Sequence, residues 1–166
     1  MANPKYLQRS ASTGKITEVI ATETGPAAEV VVSTTSGGTI DPTLLPVSGA
    51  SSAVAGEGIS AGAYVYIKAA DSKLYNAVWA SGGNQAIGFV LASYLVGATA
   101  TYYDSGANTS LTGLTAGSRY YGDKTTAGAA TLTVPTGAGV LSQFLGYATS
   151  TTAIESTMDD SIVLAS

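Results

Sequence analysis

From residue 49 onward, apolar and polar residues alternate, and almost nowhere do they recur with helical spacing. AYVYIKA (63–69) alternates and carries β-branched and aromatic side chains, as a half-buried strand does. Asp71-Ser72-Lys73 reads as a turn. LYNAVWA (74–80) alternates again, with Leu74, Asn76, Val78 and Ala80 on one face and Tyr75, Ala77 and Trp79 on the other. Ser81-Gly82-Gly83-Asn84 is a loop, and AIGFVLASYLV (86–96) is nearly continuous apolar sequence, which predicts a strand buried on both faces. ATATYYDS (98–105) gives another strand, closed by Gly106. No segment joins a period of 3.6 to capping residues, so helix is expected to be scarce. The pattern predicts an all-β fold, a small β-barrel or β-sandwich.

The alternating region repeats itself. GISAGAYVY (58–66) returns as GLTAGSRYY (113–121), and GFVLAS (88–93) is answered by GYATS (146–150), with the spacing kept apart from one small insertion. In the second copy Thr126-Ala127-Gly128 makes the turn, AATLTVP (129–135) is the return strand and TGAG (136–139) is a loop. Gly62 and Gly117 stand where a tight turn needs positive φ, and Ser60 and Thr115 are placed to bond the turn backbone. Ile59 and Leu114 would anchor each turn in the core. Gly88 and Gly146 lie inside strands, where glycine marks a bulge or the close approach of another backbone. We therefore expect a β domain over residues 49–166 made of two similar β units, about 56–107 and 111–166.

Residues 1–48 differ from the rest. Lys5, Arg9 and Lys15 fall here, and one β-like run, AAEVVVS (27–33), sits between Gly25-Pro26 and Gly37-Gly38. Pro42 and Pro46 in IDPTLLP (40–46) favour extended chain over helix. The expectation is an extended N-terminal arm with one or two short strands at most. Val30, Val31, Val32, Leu44 and Leu45 are costly to leave in water, so the arm is expected to dock on its own subunit or on a neighbour.

Composition narrows the function. Only 11% of the 166 residues are charged, against roughly 25% in an average domain. Little like-charge repulsion holds copies of such a chain apart, which favours work in contact with other protein surfaces. The net charge of −4 disfavours nucleic acid as a partner. No apolar stretch is long enough to span a bilayer, and MANPKYLQRS has no secretory h-region, so synthesis in the cytoplasm and no membrane partner are expected. The chain has neither cysteine nor histidine, which removes disulfides, thiolate metal sites and the usual general base. A Ser–Lys dyad would have to use Lys68, Lys73 or Lys124, and nothing singles out a pair. Asp159 and Asp160 are adjacent and diverge on a strand, no carboxylate run resembles a calcium loop, and Gly137-Ala138-Gly139 precedes no helix that would cradle phosphate. Asn108-Thr109-Ser110 matches a glycosylation acceptor by chance in a chain without a secretory signal. No catalytic residue, metal or cofactor is expected, and the chain is not expected to be an enzyme. Tyrosine is frequent, ten residues against two Phe and one Trp, as on surfaces that are apolar yet wet. Tyr102, Tyr103, Tyr120 and Tyr121 are candidates for a surface aromatic face that stacks on sugars; strand alternation alone would instead turn one tyrosine of each pair inward.

GLTAGSRYY, TTAGAATLTVP and LGYATSTTAI resemble a segment common in virion proteins of tailed bacteriophages. GISAGAYVYIKAADSKLY and AIGFVLAS are similar to the corresponding unit of phage head decoration, or capsid cement, proteins. IDPTLLP is similar to short linkers near the start of phage tail and fibre components. The resemblance covers about residues 56–155 and implies a virion structural protein on the outer capsid surface. It implies a homotrimer with the major capsid protein as partner, a β-rich body and an arm that fastens it to the particle. Tyr6, Leu7, Ile16, Val30, Val31, Val32, Ile40, Leu44 and Leu45 are the expected arm contacts. The alternative is a tail-fibre or receptor-binding module that recognises a host surface glycan through the four tyrosines. The chain has no extended shaft repeat, which favours the compact capsid knob.

Overall fold

The computed structural model describes residues 7–9, 16–18 and 49–165. The chain divides into two units, Met1–Pro46 and Val47–Ser166. In the first, β1 (Leu7–Arg9) and β2 (Ile16–Glu18) pair antiparallel, with Leu7 opposite Glu18 and Arg9 opposite Ile16. Tyr6, Val30, Val31, Val32, Ile40, Leu44 and Leu45 lie outside the described residues.

The second unit holds two five-stranded antiparallel sheets. β3 (Ala50–Val54), β4 (Tyr64–Lys68), β5 (Lys73–Asn76), β6 (Gly88–Phe89) and β7 (Thr99–Tyr103) lie in the order β3-β7-β6-β4-β5. β8 (Gly106–Asn108), β9 (Arg119–Gly122), β10 (Ala130–Thr131), β12 (Phe144–Ala148) and β13 (Ile154–Ser156) lie in the order β10-β9-β12-β13-β8. β11 (Leu141–Ser142) pairs separately with β14 (Ile162–Val163). The described residues contain no helix, and the fold is all-β. The barrel expectation needs correction, because neither sheet closes. Only one parallel bridge, Ala55 to Leu74, draws the edges of the first sheet together, with the Gly56 N–H donating to the Leu74 carbonyl at 2.8 Å.

Reversed, the second order is β8-β13-β12-β9-β10, which matches β3-β7-β6-β4-β5 strand for strand. The registers match too. Val65 opposite Gly88 corresponds to Tyr120 opposite Gly146, and Tyr64 opposite Phe89 corresponds to Arg119 opposite Tyr147. β8 is an edge strand of the second sheet, although a sequence boundary at 107 leaves it with the first unit. The repeated phrase starts after β8, so it does not reveal the strand before it.

The repeated phrase makes the same turn twice. The Ala63 N–H donates to the Ser60 carbonyl at 3.1 Å, and the Ser118 N–H donates to the Thr115 carbonyl at 3.2 Å. Gly62 and Gly117, third in each turn, have φ of 82° and 79°, while the alanine before each does not have positive φ. That combination is a type II turn, which requires glycine or asparagine at its third position. Each turn is then tied to its sheet. The Gly62 N–H donates to the Val90 carbonyl at 2.8 Å, and the Gly117 N–H donates to the Ala148 carbonyl at 2.7 Å. Gly146 carries the expected bulge: the β9–β12 register shifts between Phe144 and Gly146, and a methyl there would overlap the Glu155 carbonyl oxygen.

Three apolar clusters follow from this plan. Ile59, Val65 and Val90 are buried together under the first turn, with Leu74 and Ala100. Leu114, Tyr120 and Ala148, at the equivalent positions, are buried under the second, with Ile154. The largest cluster joins the sheets: Tyr64, Trp79 and Phe89 of the first half pack with Leu141 and Leu145 of the second. Alternation correctly separates Leu74 from Ala77 and Trp79, and both faces there are covered. The apolar run 86–96 departs from expectation. Ala86, Phe89 and Val90 are buried, but Leu95 and Val96 are 81% and 69% exposed. They open a turn in which the Ala98 N–H donates to the Leu95 carbonyl at 3.1 Å and Gly97 has φ of 84°. The run is therefore a short strand followed by a protruding tip.

Candidate functional site

Four buried polar groups cross between the sheets, and all are satisfied. The Gln143 side chain, 1% exposed, accepts at Oε1 from Trp79 Nε1 and from the Ala86 N–H, each at 2.8 Å. Its Nε2 donates to the carbonyls of Ala86 and Asp159, each at 2.9 Å. The Tyr64 hydroxyl bonds Ser156 Oγ at 3.0 Å, and Asn108 Nδ2 donates to the Gly62 carbonyl at 2.9 Å. Burial raises the Tyr64 pKa, partly offset by the hydrogen bonds of Ser156 and Asn108. A phenol held neutral and fully bonded is a structural strut with no proton to give at neutral pH.

Among the described residues, no three Asp or Glu side chains are placed to hold a metal ion. Asp159 and Asp160 are exposed on the approach to β14. Lys124 donates to the Thr136 carbonyl at 2.7 Å, and Lys68 lies 5.0 Å over the Tyr75 ring. Asp71 accepts from the Tyr75 hydroxyl at 2.8 Å, which lowers the Asp71 pKa and raises that of Tyr75 in an exposed turn. Among the described residues, one open cleft of about 250 Å³ lies beside Lys124 and Pro135, and another of about 430 Å³ lies where the turns at Gly62 and Gly128 meet.

The four candidate tyrosines do not share a face. Tyr102 and Tyr103 are on β7 of the first sheet, Tyr120 and Tyr121 on β9 of the second. Tyr102 packs against the Val65 cluster, and Tyr103 stacks on Phe89 with ring centroids 5.7 Å apart. Tyr120 is only 3% exposed, and its hydroxyl accepts from the Thr115 N–H at 2.8 Å. Tyr120 is thus corrected from surface to core, because alternation on β9 turns it under the Leu114 turn. Tyr121 is half-buried and lies edge-on to Phe144 at 5.9 Å.

The outward aromatic row joins Arg119, singled out beside its tyrosines, to Phe144 and Tyr147, which the sequence reading passed over. The Arg119 guanidinium lies 4.8 Å from the Phe144 ring and 5.7 Å from the Tyr147 ring. Phe144 and Tyr147 meet edge to face at 5.2 Å, and Tyr147 is 47% exposed. Three residues apart on a regular strand, those rings would point to opposite faces. The bulge before Gly146 adds the extra residue that brings both to one side and sends Leu145 into the core. A glycine inside QFLGYATS is the signal that could have found the row.

Other exposed apolar side chains include Leu95 and Val96 at their turn, Leu132 and Val134, and Ile162 and Val163 on β14. The architecture defines an all-β protein. Comparison with protein-family models, with curated proteins and with solved structures gave no match.

Proposed function

We propose that the chain is a virion structural protein of the head decoration type. It binds the major capsid protein on the outside of a phage head and stabilises the shell, after synthesis in the host cytoplasm. The body is a sandwich of two copies of one β unit, as the matching strand orders and registers support. Three copies associate on the particle, as the family resemblance implies, with the arm as the fastening element.

The observation that carries this reading is the pairing of very low charge, 11% of residues, with apolar side chains held out on a turn and a terminal strand. Such surfaces gain free energy by burial against a partner, at roughly 25 cal/mol per Å² of apolar area. Among the described residues, the outer edge of β14 is unpaired and offers backbone groups for strand addition, which needs no particular side chain. Many weak contacts on one particle then add by multivalency. The glycan reading loses its four-tyrosine platform, since Tyr120 is buried and the other three are split between sheets.

Co-sedimentation with undecorated heads tests the reading. The full chain is expected to saturate the heads, and a chain lacking residues 1–46 to stay folded yet remain in the supernatant. A full chain that ignores heads, or a truncated one that binds them as well, refutes it.

A further inference from the structure

The two units use equivalent faces differently. In the first sheet, Tyr64 and Phe89 sit opposite each other, Tyr103 follows on the next strand, and Tyr64 and Phe89 are buried under the second unit. The equivalent row in the second sheet is Arg119, Tyr147 and Glu155, on β9, β12 and β13. All three are exposed. One sheet face of this design is therefore covered within the chain, and its counterpart, with Tyr121 and Phe144 beside it, is covered by nothing in the chain's second unit.

The order of charges in that row indicates what fits it. Arg119 and Glu155 flank Tyr147, one strand to each side. Strands are about 4.8 Å apart, so the two charges are about 10 Å apart in one chain, too far for a direct ion pair. A half-turn about an axis along β12 carries the β9 side of one copy over the β13 side of another. Arg119 then faces Glu155 of the other copy twice, across a centre of stacked rings. The row is complementary to itself under that rotation and no other in-plane one, as a twofold contact requires.

We propose that this face is where two copies of the chain pair, with Arg119 of each set against Glu155 of the other and Phe144 and Tyr147 between them. The contact is separate from attachment to a capsid and from a threefold association, and it operates in free protein.

Sedimentation equilibrium on the full chain tests it, using Arg119→Glu, Glu155→Arg and their equimolar mixture, with no particles present. The wild type is expected to form dimers or larger even-numbered species. Each single reversal sets like charges together on both sides of the axis and weakens pairing at least tenfold. The mixture restores it, because a chain with two acidic flanks then meets one with two basic flanks. Both positions are exposed, and unchanged urea midpoints show that the variants are folded. A monomeric wild type, an assembly indifferent to both reversals, or a mixture no tighter than its components overturns the proposal. A glycan that binds the wild-type face without any self-association counts against it as well. Because heads are absent, failure here leaves the decoration reading standing, and failure to bind heads leaves the pairing standing.

Discussion

Replacing Gln143 with leucine puts the polar centre of the molecule to a quantitative test. The leucine has similar bulk but no polar atoms, so the loss is almost wholly in hydrogen bonding. Trp79 Nε1 and the N–H of Ala86 lose their acceptor, and the carbonyls of Ala86 and Asp159 lose their donor. Trp79 and Ala86 are buried, so water cannot replace the lost partner at either donor. A stranded buried group costs about 1–3 kcal/mol. Two stranded donors and the Ala86 carbonyl together cost about 3–9 kcal/mol; Asp159 is exposed, and its carbonyl can turn to solvent. Typical total stability is roughly 5–15 kcal/mol, so the variant is expected to be marginal and not merely weakened. The assay is built in, because Trp79 is the only tryptophan and is itself a partner of Gln143. Its fluorescence during urea unfolding gives the midpoint and slope directly. Gln85→Leu is the control: that side chain accepts one bond, from the Ser161 N–H at 2.8 Å, and its loss should cost about 1 kcal/mol. If Gln143→Leu costs no more than the control, the claim that this amide joins the two sheets is wrong.

Two further outcomes follow from the same geometry. Gly62→Ala and Gly117→Ala impose the same positive-φ cost, about 1 kcal/mol, on equivalent turns. A methyl at Gly62 also runs into the Ser110 carbonyl while one at Gly117 meets open space, so urea midpoints should place Gly62→Ala at least about 2 kcal/mol lower; equal losses would refute the packing of the 108–111 segment on the first turn. At Asp123, burial works to raise the pKa, but hydrogen bonds from the Thr125 hydroxyl and from the backbone of Thr125 and Thr126 prevail and hold it below the usual carboxylate value. A depressed folded pKa gives stability that is present above about pH 4 and is lost as pH falls through the folded value. Stability differences between wild type and Asp123→Asn, measured by urea unfolding across pH, should therefore shrink in acid, and a constant difference would contradict the assignment.

The turns and the repeat could be read from sequence because they rest on local chemistry. Gly62, Gly117 and Gly146 each answer a backbone demand that few other residues meet, so the type of residue announces the geometry. The all-β character followed from alternation for the same reason. Burial was harder, since it depends on what lies opposite. Leu95 and Val96 read as a continuation of a buried strand, yet the glycine that follows turns the chain outward. Gln143 stands between Ser142 and Phe144 with no local mark of burial, and only the second sheet's placement over Trp79 makes it central. Tyr120 and Tyr121 are chemically identical neighbours, and which one faces in is decided by the turn at Leu114.

Comparison of equivalent positions carries one step further than either sequence or burial alone. Under the two turns the paired positions stay apolar or become aromatic: Ile59 and Leu114, Val65 and Tyr120, Val90 and Ala148. On the opposite face they diverge in kind. Tyr64 corresponds to Arg119, Phe89 to Tyr147 and Tyr103 to Glu155. Two of those three changes introduce charge, and they occur on the face that the described residues of Val47–Ser166 leave exposed. In repeat architectures a polar outer face limits the addition of further units. A complete stop would also have removed the rings, because exposed aromatic area favours association. Here Phe144 and Tyr147 remain, held against the Arg119 guanidinium. A face that carries charge enough to reject another β unit, yet keeps its rings, is selective about its partner, and the selectivity resides in the positions of Arg119 and Glu155.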